Sequence, residues 1–134
     1  MKLTSRSEYA LLALIYLARQ DMDKTFLSVD TIATAQGIPP KFLEQILLIL
    51  KRSRYLKSIK GQHGGFALAK RPAEITVAEI IRLFDGALAP TESVRKYFYE
   101  PTPIEKEKKL IKLFREIRDF VADKLENTTI ADMC

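Results

Sequence analysis

Gly37-Ile38-Pro39-Pro40 restricts the fold of this chain more than any other segment. Glycine readily takes the left-handed conformation that ends a helix. Pro40 suits the first turn of a new helix, where a missing N–H costs nothing. Two helices must therefore meet here at a tight corner. The first is short, with Ser28 as its expected N-cap and Ile32 and Ala33 facing inward. The second is expected over about 40–53. Phe42, Leu43, Ile46, Leu47, Ile49 and Leu50 give it a wide apolar face. Lys41, Glu44, Gln45, Leu48 and Arg52 repeat at helical spacing on the opposite face, which should be exposed.

The period then changes. Tyr55-Leu56-Lys57-Ser58-Ile59-Lys60 and Phe66-Ala67-Leu68-Ala69-Lys70 partly alternate, as half-buried strands do, and they flank Gly61-Gln62-His63-Gly64-Gly65. A glycine-rich tip between such arms marks a β-hairpin. Two helices at a glycine corner followed by a hairpin spell a helix-turn-helix with a wing.

The remaining elements are helical. A first helix is expected over about 5–19, with Ser5-Arg6-Ser7-Glu8 as a capping box and Tyr9, Leu12, Ala13, Tyr16 and Leu17 as its apolar stripe. A fourth starts at the capping box Thr76-Val77-Ala78-Glu79 and stops at Gly86. A loop over 87–101 contains Tyr97, Phe98 and Tyr99. Thr102 as cap, Pro103 in first position and Glu105 completing a box predict a last helix to about residue 125, roughly 30 Å long. Its apolar face is Leu110, Leu113, Phe114, Ile117, Phe120, Val121 and Leu125. Asn127-Thr128-Thr129 breaks it, and Ile130-Ala131-Asp132 has room for one more turn. The fold class is mainly α with a small β-hairpin. A winged helix-turn-helix unit over 1–86 and a loop over 87–101 are expected, then a helix with its tail over 102–134. The bulky apolar face of that helix exceeds what one small domain easily covers and so suits dimerisation, or else folding back onto its own domain.

Charge narrows the function. Between Lys41 and Arg71 stand eight basic residues (Lys41, Lys51, Arg52, Arg54, Lys57, Lys60, Lys70, Arg71) and one acid, Glu44. That local excess of +7 exceeds the +5 of the whole chain. It is either a phosphate-binding footprint or a solvated lysine-rich surface. Placed on a helix-turn-helix and wing, it favours double-stranded DNA. The major groove admits one α-helix, and Lys41, Glu44 and Gln45 lie at the end that enters it in this motif. Gln45 suits an adenine edge, Glu44 a cytosine amino group and Leu48 a thymine methyl. Glu44 is alternatively a solvated charge or a partner for Lys41, and Leu48 a margin of the core. Arg52, Arg54 and Lys57 suit phosphates. Lys60, Gln62 and His63 are placed to reach an adjacent minor groove; His63 also fits a plain turn role.

Other classes find little support. One histidine and one distant cysteine, Cys134, make no nucleophile–base pair. No phosphate-loop or dinucleotide fingerprint is present. No apolar run approaches the ~20 residues of a membrane span, and no secretory signal precedes the first helix, so a cytoplasmic protein is expected. A single cysteine forms no internal disulfide framework and no cysteine-rich metal site.

Several separated blocks, in consistent order over nearly the whole chain, resemble a known group. They are residues 1–10 (Met1-Lys2-Leu3-Thr4-Ser5-Arg6-Ser7-Glu8-Tyr9-Ala10), Gly37-Ile38, Phe42-Leu43-Glu44-Gln45, Gly64-Gly65-Phe66-Ala67-Leu68-Ala69 and Ile75-Thr76-Val77-Ala78-Glu79-Ile80. The chain looks like the winged-helix regulators of the IscR, NsrR and CymR type, the Rrf-two family. The resemblance implies a homodimer on a near-palindromic operator, with Glu44 and Gln45 on the recognition helix. It implies that residues 60–65 form the wing and that the last helix crosses its mate through Leu110, Leu113, Phe114, Ile117, Phe120 and Val121. Many members hold an iron–sulfur cluster through three cysteines after the fourth helix. The corresponding positions here are Ser93 and, counted without gaps, near Tyr99 and Glu105. None replaces a thiolate, and Glu8, an acidic ligand position in some members, then has no cluster to bind. The wing carries Gln62-His63 where glycine and proline are usual.

The expected protein is a regulator of the cluster-free branch, acting as a repressor, with no cofactor, no metal and no enzymatic activity. Ser93, Tyr97, Phe98 and Tyr99 form the expected effector region for a small molecule or protein partner; the aromatics equally suit hinge packing. The alternative is a protein–protein adaptor that kept the fold and lost DNA binding.

Overall fold

The corner at Gly37 forms as its residues dictate. In the computed structural model, which describes residues 1–20, 26–95 and 101–134, Gly37 is left-handed at φ 67° between α2 (Val29–Gln36) and α3 (Pro40–Arg52). Ser28 caps α2 by accepting from the Thr31 N–H at 3.1 Å. Before them lies α1 (Ser5–Gln20); after them come β1 (Leu56–Ile59), β2 (Gly65–Leu68), α4 (Val77–Asp85) and α5 (Lys108–Glu126). Short 3₁₀ turns sit at Pro72–Glu74, Glu92–Val94, Pro103–Lys106 and Ala131–Met133. Mainly helical with one antiparallel hairpin, this is the winged-helix class.

The core is built around α3. Leu43, Ile46, Leu47 and Leu50 are buried against Ala10, Ala13, Leu14 and Leu17 of α1 and Ile32 and Ala33 of α2. Full burial of such a side chain contributes ~1.5–3 kcal/mol. Leu56, Phe66 and Leu68 bring the hairpin into the same core. The strands pair antiparallel, Leu56 opposite Leu68 and Ile59 opposite Gly65. β2 departs from alternation, being buried at Phe66, Ala67 and Leu68 in succession.

The chain returns to this core after α5. Thr76 and Thr129 form an antiparallel bridge. The Val77 N–H donates to the Thr128 carbonyl (2.9 Å) and the Ile130 N–H to that of Ile75 (2.8 Å). Ile130 is fully buried in the α3-centred core. Two smaller apolar clusters flank it: Ala78, Ile81 and Leu88, and Ala89, Val94 and Ile111.

Local signals misplaced several details. Thr4, not Ser5, stands at the cap of α1, accepting from the Ser7 N–H at 3.4 Å. The buried positions of α1 include Ala10 and Leu14, while Tyr9, Leu12 and Tyr16 are partly covered. Phe42 is exposed and packs edge-on against Tyr9, ring centres 5.6 Å apart. Thr102 makes no capping bond with its side chain, whose hydroxyl is hydrogen-bonded to that of Ser93; Pro103 opens a 3₁₀ turn and α5 begins only at Lys108.

A long-range contact secures α1 against α4. Asp85 ends α4, the wrong end of its own helix dipole for an anion, yet it lies at the start of α1, where an anion is favoured. Its carboxylate accepts from the Ser7 hydroxyl (2.6 Å), the Thr4 hydroxyl (2.5 Å) and the Thr4 N–H (3.2 Å). Burial alone would raise the Asp85 carboxyl. The hydrogen bonds from Ser7 and Thr4 and the charge of Arg6 outweigh it and hold the group below its usual range. Asp85→Ala should lower the unfolding free energy by ~1–2 kcal/mol in urea denaturation. Because the folded pKa is depressed, this difference should be full above about pH 4 and shrink toward zero as pH falls through the folded value.

Candidate nucleic-acid interface

The core-facing residues of α3 fix what its other side presents. Lys41, Glu44, Gln45, Leu48 and Arg52 are all exposed, together on one face. Leu48 is 39% exposed and so belongs to that face rather than to the core.

At its C-terminal end α3 stops in an unusual way. The Tyr55 N–H donates to the Leu50 carbonyl (2.9 Å) and the Arg54 N–H to that of Lys51 (3.0 Å). This is the pattern of a helix end whose left-handed residue is usually glycine. Here the residue is Arg54, at φ 69°, the one non-glycine residue with positive φ among those described. A left-handed L-residue costs ~1–2 kcal/mol. The cost is borne next to a surface of free cations, with the Arg54 side chain exposed.

The basic residues divide into engaged and free. Arg71 pairs with Glu74 at 2.5 Å. The Lys70 ammonium lies 4.5 Å from the centre of the Tyr55 ring, and that of Lys57 lies 5.9 Å from Phe26. Lys41, Lys51, Arg52, Arg54 and Lys60 are exposed and form no ion pair with another described residue.

The hairpin carries Lys60, Gln62 and His63 exposed near its tip. On the side away from β1, β2 is joined by a third piece of chain: Leu27 and Phe66 exchange backbone hydrogen bonds of 2.9 and 2.7 Å. Gly65 makes this approach possible, since a Cβ there would lie 2.2 Å from the Leu27 carbonyl oxygen, at a φ of 154°. At the hairpin base, the Tyr55 hydroxyl donates to Glu79 Oε1 at 2.6 Å. Glu79 Oε2 accepts from the Thr76 N–H (2.8 Å) and hydroxyl (3.0 Å), completing the capping box of α4. Burial would raise the Glu79 carboxyl, but the hydrogen bonds from Tyr55 and Thr76 and the charge of Lys70 outweigh it and lower its pKa. Burial, then the adjacent carboxylate, pushes the Tyr55 phenol above its ordinary value, so it stays a donor. Sequence reasoning assigned Glu79 only to the cap and missed Tyr55; the signal was a tyrosine at a core position, whose hydroxyl needs a partner.

The α5 face is open. Leu113, Ile117 and Phe120 are exposed, Phe120 by 75%, and Leu110, Phe114 and Val121 are half-buried. Ile111, absent from the expected apolar face, is the buried residue of this helix. Of the expected effector region, Ser93 is buried and hydrogen-bonded to Thr102, whereas Tyr97, Phe98 and Tyr99 lie outside the described residues. No described helix is long and apolar enough to cross a membrane.

Comparison with known proteins accords with this geometry. Residues 3–134 match the Rrf2 family, described as iron-dependent transcriptional regulators. The HTH-type transcriptional regulator CymR of Bacillus subtilis is 31% identical over 133 residues, covering 99% of this chain and 89% of CymR. NsrR of Geobacillus kaustophilus is 38% identical over 92 residues, covering 69% of this chain and 62% of NsrR. The solved structure of B. subtilis CymR, called there the global cysteine regulator, superposes with a TM-score of 0.78 at 29% identity, covering 99% of this chain and 95% of the other. T. potens IscR gives 0.74 at 26% identity, covering 99% and 85%.

The residues present do not fit an iron–sulfur cluster. Such clusters are held by thiolates, and the sequence has one cysteine, Cys134. Ser93 has a hydroxyl already engaged by Thr102. Among the described residues no three of histidine, cysteine, aspartate and glutamate stand together as a metal site. With this departure in its donor set, and with its fold and near full-length match in agreement, the chain belongs to the Rrf2 family of winged-helix, DNA-binding transcriptional regulators, which are not enzymes.

Proposed function

We propose that the protein acts as a homodimer that reads a near-palindromic DNA site with α3 in the major groove and the hairpin on the flanking duplex. One observation carries this: an exposed polar face on a helix whose other face is locked in the core, bordered by five exposed cations that form no ion pair among the described residues. Within it, Gln45 suits bidentate contact with adenine, Glu44 the amino group of cytosine and Leu48 a thymine methyl. Lys41, Arg52, Arg54 and Lys57 suit phosphates, which set register without reading sequence. Lys60, Gln62 and His63 serve the flanking groove. Residues 1–86 supply this reading surface.

A second copy of the chain is the proposed cover for α5. Through Arg115 the helix carries four basic residues and no acid; from Glu116 onward it carries four acids and two bases. Antiparallel self-docking about a twofold axis sets the basic half of each copy against the acidic half of the other and covers Leu113, Ile117 and Phe120 together. Two reading heads then meet half-sites about one helical turn, ~34 Å, apart.

Four outcomes test the reading. Selection from random duplexes should enrich a near-palindrome, with affinity falling ~10³-fold or more between about 50 and 200 mM salt. Glu44→Ala with Gln45→Ala should abolish the enrichment while leaving salt-sensitive, sequence-blind binding; unchanged enrichment would remove α3 from the groove. Phe120→Glu should convert a dimer to a monomer in sedimentation analysis and weaken operator binding. Arg54→Gly separates stability from function: it should unfold at the same or higher temperature, because glycine tolerates φ 69°, yet bind DNA more weakly, with a salt slope reduced by about one per subunit.

A further inference from the structure

We propose that Tyr55 and Glu79 are positioning residues for the wing, their mutual hydrogen bond setting the angle at which residues 60–65 meet DNA. This rests on the reading of the hairpin as a DNA-contacting wing. A hairpin of two four-residue strands has little stability of its own, so its direction is decided by what grips it. The mid-strand is gripped by Leu27, through the exchange with Phe66. One grip of this kind leaves a pivot. The base supplies the second point, and there Tyr55 holds three elements at once. Its N–H donates to Leu50 at the end of α3, its carbonyl accepts from the Ala69 N–H just beyond β2 (2.9 Å), and its hydroxyl donates to Glu79 on α4. Lys70 lies over the ring and keeps it in place.

Glu79 is itself immobile. Its second oxygen is bound by Thr76 at the cap of α4. Thr76 is paired with Thr129, which follows α5. The 2.6 Å contact between phenol and carboxylate therefore ties the wing base to the segment that leaves the proposed dimer helix. Without the hydroxyl, every backbone hydrogen bond of the hairpin remains, and what is lost is the tie from its base to α4.

The test uses the full chain and the duplex selected above, with binding followed by fluorescence anisotropy across a salt series. Circular dichroism fixes a temperature at which every variant is folded. Tyr55→Phe, which keeps the ring, should weaken binding about three- to tenfold and reduce the salt slope by about one. Glu79→Gln, whose single amide oxygen can serve either the phenol or the Thr76 N–H, should lose no more affinity than Tyr55→Phe does. Lys60→Ala with His63→Ala removes the wing contacts directly and should give a similar loss. Adding Tyr55→Phe to that pair should then cost nothing more, because the residue acts only through the wing. Wild-type affinity and slope in Tyr55→Phe, or losses that multiply in the combined variant, overturn the positioning role. Wild-type binding by the Lys60→Ala, His63→Ala pair overturns the wing reading beneath it, a separate failure visible in a separate variant.

Discussion

Complete burial of Leu43, Ile46, Leu47 and Leu50 is the constraint from which the rest of the molecule follows. A helix has one rotational degree of freedom about its axis, and four locked side chains remove it. Turning α3 by one residue position would draw Glu44 or Gln45 toward the core and push Leu43 toward water. That exchanges ~1.5–3 kcal/mol of apolar burial for an unpaired polar group under cover. The direction of the proposed reading face is therefore set by leucine and isoleucine packing on the other side of the helix. α1 and α2 matter to function in the same indirect way, as the surface against which α3 is held.

The hairpin is held by different means. Its apolar side chains reach the core, but its orientation depends on backbone pairing with Leu27, on the missing side chain of Gly65 and on the phenol–carboxylate contact at its base. Apolar burial is forgiving of small rotations, whereas a hydrogen bond weakens steeply with angle. The two parts of the proposed reading surface thus differ in kind: α3 is held by close packing alone, the hairpin by close packing together with a few polar contacts.

Much of this was legible in the residues. Gly37 with Pro40, the glycine-rich tip, Ser28 and the Thr76–Glu79 box each act over a few positions, and each formed where its chemistry indicated. The family resemblance followed the same blocks. The failures share a cause. The Thr102 signal was sound locally but lost to Ser93, nine residues away, and α5 started later. Ser5 looked like a cap until Asp85, eighty positions on, made Thr4 the better one. Phe42 shares the apolar character of its neighbours but lies at the margin of the buried face, where it meets the edge of Tyr9 and stays exposed. Arg54 gave no sign of its left-handed backbone, since glycine is the residue that announces it. Tyr55 and Glu79 could be paired only once the hairpin base and α4 were brought together in space.

Ile130 has a consequence for how such a subunit is born. It completes the core around α3, yet it follows α5 in the chain. Synthesis proceeds from the N-terminus at ~5–20 residues per second, so the helix-turn-helix emerges early with a hole where Ile130 belongs. The last apolar contact of the α3-centred core arrives only after the helix proposed to join two subunits has itself been made. A nascent chain therefore completes the core beneath its proposed reading helix no sooner than it completes its proposed dimer helix.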